Sequence, residues 1–109
     1  MVKLELLTDE ELIEDLKTIL SKAEEAANEK DYEKAVKVKD EVREKDDYLD
    51  KAKFQNVGTQ TFQTYCWALK QARANTGGHW SKNPNSPDNN YLSRLYSIKT
   101  DLNHELNFL

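Results

Sequence analysis

The sequence predicts an all-α protein, a small four-helix bundle made of an N-terminal αα-hairpin and two C-terminal helices joined by a long polar loop. Three observations carry that prediction. Apolar residues recur at three- and four-residue spacing along most of the 109 residues, and no alternating run suggests a strand. Charged residues make up 33 % of the chain, against a usual ~25 %, as expected for thin elements with broad solvated faces. The length fits one domain with a single modest core.

The first helix, expected over residues 9–28, is announced by Thr8 and Glu11, a capping box in which each side chain satisfies the other residue's free backbone N–H. Leu7 and Leu12 flank the box as a hydrophobic staple, and Asp9, Glu10 and Glu11 place negative charge at the positive end of the helix dipole. Leu12, Ile13, Leu16, Ile19, Leu20, Ala23, Ala26 and Ala27 then form one apolar stripe. The stripe breaks at Asn28 to Asp31, which reads as a tight turn with Asp31 capping a second helix over 32–54. A single helix running through residue 31 is the alternative, because the turn has neither Gly nor Pro. Tyr32, Ala35, Val38, Val42, Leu49 and Ala52 form the second seam. Glu33 to Lys37, Glu41 to Lys45 and Asp47 to Lys51 are i to i+4 pairs in the favourable order, each contributing ~0.2 to 0.5 kcal/mol.

Gly58 precedes a third helix over 60–75, with Thr59 or Thr61 as its cap. Its apolar face holds Phe62, Tyr65, Cys66, Leu69 and Ala72, with Trp67 off that face. Asn75, Thr76, Gly77 and Gly78 end it. Residues 76–90, "TGGHWSKNPNSPDNN", hold two of the three glycines and both prolines. Connections of this length are uncommon in compact domains and are either functional or disordered. The turn-rich half from residue 83 favours disorder, whereas Trp80 calls for burial against the bundle or for a partner to anchor. Asn89 or Asn90 caps a fourth helix over 90–108, with Tyr91, Leu95, Ile98, Leu102, Leu106 and Leu109 on one face and a second apolar set at Leu92 and Tyr96.

The net charge of −4 divides unevenly. Residues 1–53 carry 11 Lys/Arg against 17 Asp/Glu, and residues 54–109 carry 5 against 3. The hairpin is therefore acidic and the second half mildly basic. A single cysteine excludes an internal disulfide framework and fits a reducing compartment. With no apolar stretch of ~20 residues to span a membrane, the chain reads as cytoplasmic.

Catalytic patterns do not emerge. Cys66 lacks a placed base and reads as a buried thiol, and Cys66, His79 and His104 have no metal-ligand spacing. His104 suits the negative end of the last helix, and "GGHWSK" lacks the phosphate-loop layout. No cofactor is expected.

Within residues 24–44, "EEAANEKDYEKAVKVKDEVRE", the run Tyr32-Glu33-x-Ala35-Val36-x-Val38-Lys39-Asp40-x-Val42 follows Ala26-Ala27. It resembles the UVR helical hairpin of bacterial excision-repair proteins and some protease regulators, with Lys30 and Lys39 standing where that family has leucine and arginine. The resemblance covers about a fifth of the chain and implies a short antiparallel hairpin that docks onto another hairpin or protein surface.

The expected function is a non-enzymatic protein-interaction module, a small acidic adaptor or inhibitor. Its partner is a larger protein, one that handles nucleic acid by analogy with small virus-encoded inhibitors. Glu33, Asp40, Glu41, Glu44 and Trp80 are the expected contacts. The alternative is nucleotide or single-strand binding through the loop, with Lys70, Arg73, His79, Lys82 and Arg94 converging on Trp80. Self-association through the helical hairpins is a third expectation.

Overall fold

The computed structural model describes residues 3–51, 58–87 and 89–109, without the side chains of Glu5 and Lys51. A 3-10 turn at Leu4–Leu6 leads into four helices, α1 (Asp9–Glu29), α2 (Tyr32–Lys51), α3 (Gln60–Arg73) and α4 (Tyr91–Leu106). No named strand occurs among the described residues, and the architecture is the expected all-α four-helix bundle. The predicted end of the second helix at residue 54, and Ala52 in its seam, fall outside the described residues.

The helix starts follow the sequence signals. Thr8 Oγ1 accepts from Glu11 N–H at 3.2 Å while Glu11 Oε1 accepts from Thr8 N–H at 2.9 Å, which completes the capping box. Leu7 and Leu12 both pack into the core, as a staple requires. Asp31 caps α2 through Lys34 N–H at 3.1 Å, Thr59 caps α3 through Phe62 N–H at 3.1 Å, and Asn90 caps α4 through Ser93 N–H at 2.8 Å. In each case a short polar side chain accepts one of the donors that the first helical turn leaves unpaired.

Between α1 and α2 the chain turns through Lys30, held in the left-handed conformation at φ 52°. That excludes the single continuous helix. A lysine there carries the steric cost that glycine avoids. Lys30→Gly is expected to raise stability by about 0.5 to 1 kcal/mol, read as a higher urea midpoint at unchanged slope. The carbonyl that accepts from Tyr91 Oη at 3.0 Å is kept in the variant.

Contacts across the bundle fix its topology. Lys45 to Asp15 and Lys22 to Glu41 make α1 and α2 antiparallel. Lys70 to Asp50 and Arg73 to Asp46 do the same for α2 and α3. Tyr91 meets Lys30 at the hairpin's turn, while Asp101, ten positions further along α4, meets Asn75 at the end of α3. The chain thus runs up, down, up and down, with neighbours in sequence also neighbours in space.

One helix is too short for this frame. At ~1.5 Å per residue, α1 and α2 extend about 30 Å and α3 only about 21 Å. The loop supplies the missing length. Partners along α2 run in one unbroken register: Asp50 with Lys70, Asp46 with Arg73, Arg43 with the Thr76 carbonyl, Lys39 with the Gly78 carbonyl, and Tyr32 Oη with the Trp80 carbonyl. Residues 76–80 therefore continue upward beside α2 where α3 has stopped. Trp80, 0 % exposed, fills the core at that level.

Beyond Trp80 the chain makes a polar excursion closed at its neck. Ser81 N–H donates to the Asn89 carbonyl at 2.7 Å and Tyr91 N–H to the Ser81 carbonyl at 3.1 Å. Inside it, Ser86 N–H bonds the Asn83 carbonyl and Asn90 Nδ2 bonds the Ser86 carbonyl. The first half of the loop is thus structural and the second a compact surface turn.

The core holds most of the four predicted stripes, together with Leu4, Ala68 and Trp80. Leu109, expected on the apolar face of α4, is 37 % exposed just past the helix end, and Ile13 stays at the edge of its stripe, outside the core cluster. Tyr96, expected in a second apolar set with Leu92, is 70 % exposed, although Leu92 packs against the core. The seam of α2 is interrupted between Val42 and Leu49 by Asp46, which is buried because Arg73 of α3 reaches it at 3.1 Å.

Candidate interaction surface

The outward face of α2 is built by helical periodicity. Glu33, Lys37, Asp40 and Glu44 lie three or four positions apart and all are exposed. Among the described residues, no hydrogen bond or ion pair holds Glu33, Asp40 or Glu44. The three carboxylates, with Lys37 among them, leave the face net negative and open to solvent.

Glu41 differs from its expected companions. One helical step off that face, it accepts from Lys22 Nζ and from Lys45 Nζ, each at 2.9 Å. Lys45 in turn bonds both carboxylate oxygens of Asp15, at 2.6 and 2.8 Å, and Tyr65 Oη donates to Asp15 at 2.6 Å. This network ties α1, α2 and α3 together. Burial pushes the Glu41 carboxyl upward, but Lys22 and Lys45 outweigh it and hold the group below 4.5. Burial likewise disfavours the Lys45 ammonium, and its bonds to Asp15 and Glu41 reverse that and raise it above 10.5. Glu41, expected as a partner contact, is thus held by two lysines of the protein itself. Sequence reasoning missed Asp15, Lys45 and Tyr65 as a unit. The only signal was polar residues standing next to apolar stripes.

Of the two roles open to Trp80, burial against the bundle or anchoring a partner, the fold gives the first. Its indole is wholly buried, so it packs and is not a surface anchor. Lys39 Nζ lies 5.3 Å from its ring centroid, a cation-π contact. Tyr32 and Tyr91 meet edge to face nearby, at 5.6 Å. The indole Nε1–H has no hydrogen-bond partner among the described residues.

The basic residues of the alternative reading do not converge on Trp80. Lys70 pairs with Asp50 at 3.6 Å, and Arg73 pairs with Asp46 and Asp47. Both neutralise α2 carboxylates at the α2–α3 seam. Lys82 Nζ sits 5.2 Å over the Tyr32 ring at the top of the bundle. Arg94 bonds Asn89 Oδ1 at the start of α4, and His79 is exposed on the loop. The expected patch is thereby split, because the acidic α2 draws the cations of α3 to itself.

Cys66 is half-buried, and burial with the nearby Asp46 charge pushes its thiol up to about 11. It is protonated at neutral pH, the opposite of an activated nucleophile. His104 and Glu105 lie on different faces of the last turn of α4: the histidine is exposed against Phe108, the glutamate buried. Among the described residues no group of three or more potential metal ligands comes together, and no helix is long and apolar enough to cross a membrane.

Comparison of this chain with the models of protein families, with curated proteins and with solved structures finds no match in any of the three.

Proposed function

We propose that the protein is a non-enzymatic helical interaction module that presents the α2 face of Glu33, Asp40 and Glu44 to a basic surface on a larger protein. The observation that carries this reading is the division of the carboxylates. Those of the scaffold, Asp15, Glu41 and Asp46, are bonded to internal cations, whereas these three remain unpaired and outward. Charge held in this way steers encounter and selects partners of opposite sign. The resemblance of residues 24–44 to a docking hairpin points to the same elements. An adaptor or inhibitor that occupies the basic groove of a nucleic-acid-handling protein is the specific form of the proposal.

Direct nucleic-acid binding through the loop is the competing reading, and the pairing of Lys70 and Arg73 with α2 weighs against it. The test is a charge reversal, Glu33→Lys with Asp40→Lys and Glu44→Lys. All three positions are exposed, so the fold is kept. A partner recovered by the wild-type protein is expected to be lost by the triple variant. Retention of that partner contradicts the proposal, as does oligonucleotide binding that weakens steeply between two salt concentrations. Mass that rises with protein concentration identifies the partner as a second copy.

A further inference from the structure

We propose that a second contact lies in a groove between the N-terminal turn, α1 and α2, and that it takes a basic amphipathic segment of a protein partner. The groove is a concavity of about 420 Å³, within the size range of ligand-binding clefts. The half-buried Leu7, over the buried Leu4, supplies its apolar surface, Thr18 one wall, and Glu11 and Glu14 its rim. The Lys45–Asp15 pair closes its inner end.

Charge decides the occupant. Among the described residues that line the groove, Lys45 is the one cation against Glu11, Glu14 and Asp15, and it is already bonded to Asp15 and Glu41. Glu11 uses one carboxylate oxygen on Thr8 N–H, and Glu14 has its nearest cation, Lys17, at 3.9 Å. Two carboxylates on an apolar groove suit an apolar side chain seated on Leu7, with a Lys or Arg one helical turn away. That is the pattern of an amphipathic basic helix laid in a groove. An acidic or purely polar segment is rejected, because it would bring like charge to the rim or leave Leu7 in water. Beyond Thr18 and Ser21 a second concavity follows α1, but there Lys17 and Lys22 balance Glu14 and Glu25, so the acidic rim is confined to Glu11 and Glu14.

The inference rests on the reading of the protein as an interaction module, but it uses residues that the α2 face does not share. The probe is a synthetic amphipathic peptide of Leu and Lys, about four helical turns long, titrated into the ¹⁵N-labelled protein. Saturable amide shifts are expected at Leu7, Glu11, Glu14 and Thr18. A peptide with Glu in place of Lys is expected to produce none. Glu14→Lys, at an exposed position, is expected to weaken binding at least about tenfold, and Thr18→Arg, which fills the wall, to do the same. Shifts gathered instead at Glu33, Asp40 and Glu44 would overturn the groove while supporting the α2 face. Equal affinity in Glu14→Lys and wild type would overturn the groove, and absence of any saturable shift would count against both surfaces.

Discussion

Trp80→Ala is expected to lower stability by about 3 to 5 kcal/mol, the usual cost of removing a large buried aromatic, although residue 80 lies in a loop. The indole fills the level of the core that α3 does not reach, and it is the one large apolar side chain of the strap beside α2. Its loss leaves a void in the core beside α2 that the strap, with no other large apolar side chain, cannot fill. The measurement is urea unfolding followed by circular dichroism, with a lower midpoint and unchanged slope. Trp80→Phe is expected to cost clearly less. It keeps an aromatic ring and also removes the unpaired Nε1–H, whose burial itself costs about 1 to 3 kcal/mol. A surface anchor would behave differently, with either substitution leaving the midpoint within about 0.5 kcal/mol of wild type.

Asp15→Ala is the second large effect, expected at about 2 to 4 kcal/mol. The change takes from Lys45, whose side chain is only 17 % exposed, one of its two carboxylate partners and leaves it Glu41 alone, and it leaves the buried Tyr65 hydroxyl without its acceptor. Asp15→Asn is expected to cost less, since an amide oxygen still accepts from Tyr65. The same network sets the pH dependence. Glu41 titrates below 4.5 in the folded protein, so its contribution is fully present above the unfolded value and is lost as pH falls through the folded one. Lys45 titrates above 10.5, so its contribution is present below that value and is lost only as pH rises through the folded one. Unfolding free energy is therefore expected to stay level from about pH 5 to 10 as far as these two groups are concerned, and to fall in acid. Removing the Lys45 ammonium by Lys45→Met is expected to flatten the acid limb, because Glu41 then loses one of the two cations that hold it down.

Much of the fold was legible in the sequence because it is written in local chemistry. Thr8, Asp31, Thr59 and Asn90 cap helices through bonds that span three residues. The apolar stripes name the buried faces, since a helix repeats every ~3.6 residues. The rest depends on which face meets which. Nothing near Asp46 in the chain reveals that Arg73 lies opposite it, and nothing near Trp80 reveals that α3 ends one strap short of the bundle's top. The candidate site divides in the same way. Glu33, Asp40 and Glu44 were recognisable as an exposed helical stripe, whereas the removal of Glu41, Lys70 and Arg73 from any outside partner required the pairing of distant helices. Tyr96 shows the limit of periodicity alone, for its spacing suits a seam that no neighbouring helix covers.

The account stands on the loop being an internal part of the bundle, which is what turns attention from residue 80 to the outer face of α2. Fluorescence of the Trp67→Phe variant tests this directly, because it removes the 52 % exposed indole and leaves Trp80 as the sole tryptophan. The account predicts blue-shifted emission that acrylamide quenches poorly. Red-shifted emission, quenched as readily as free indole, would contradict it.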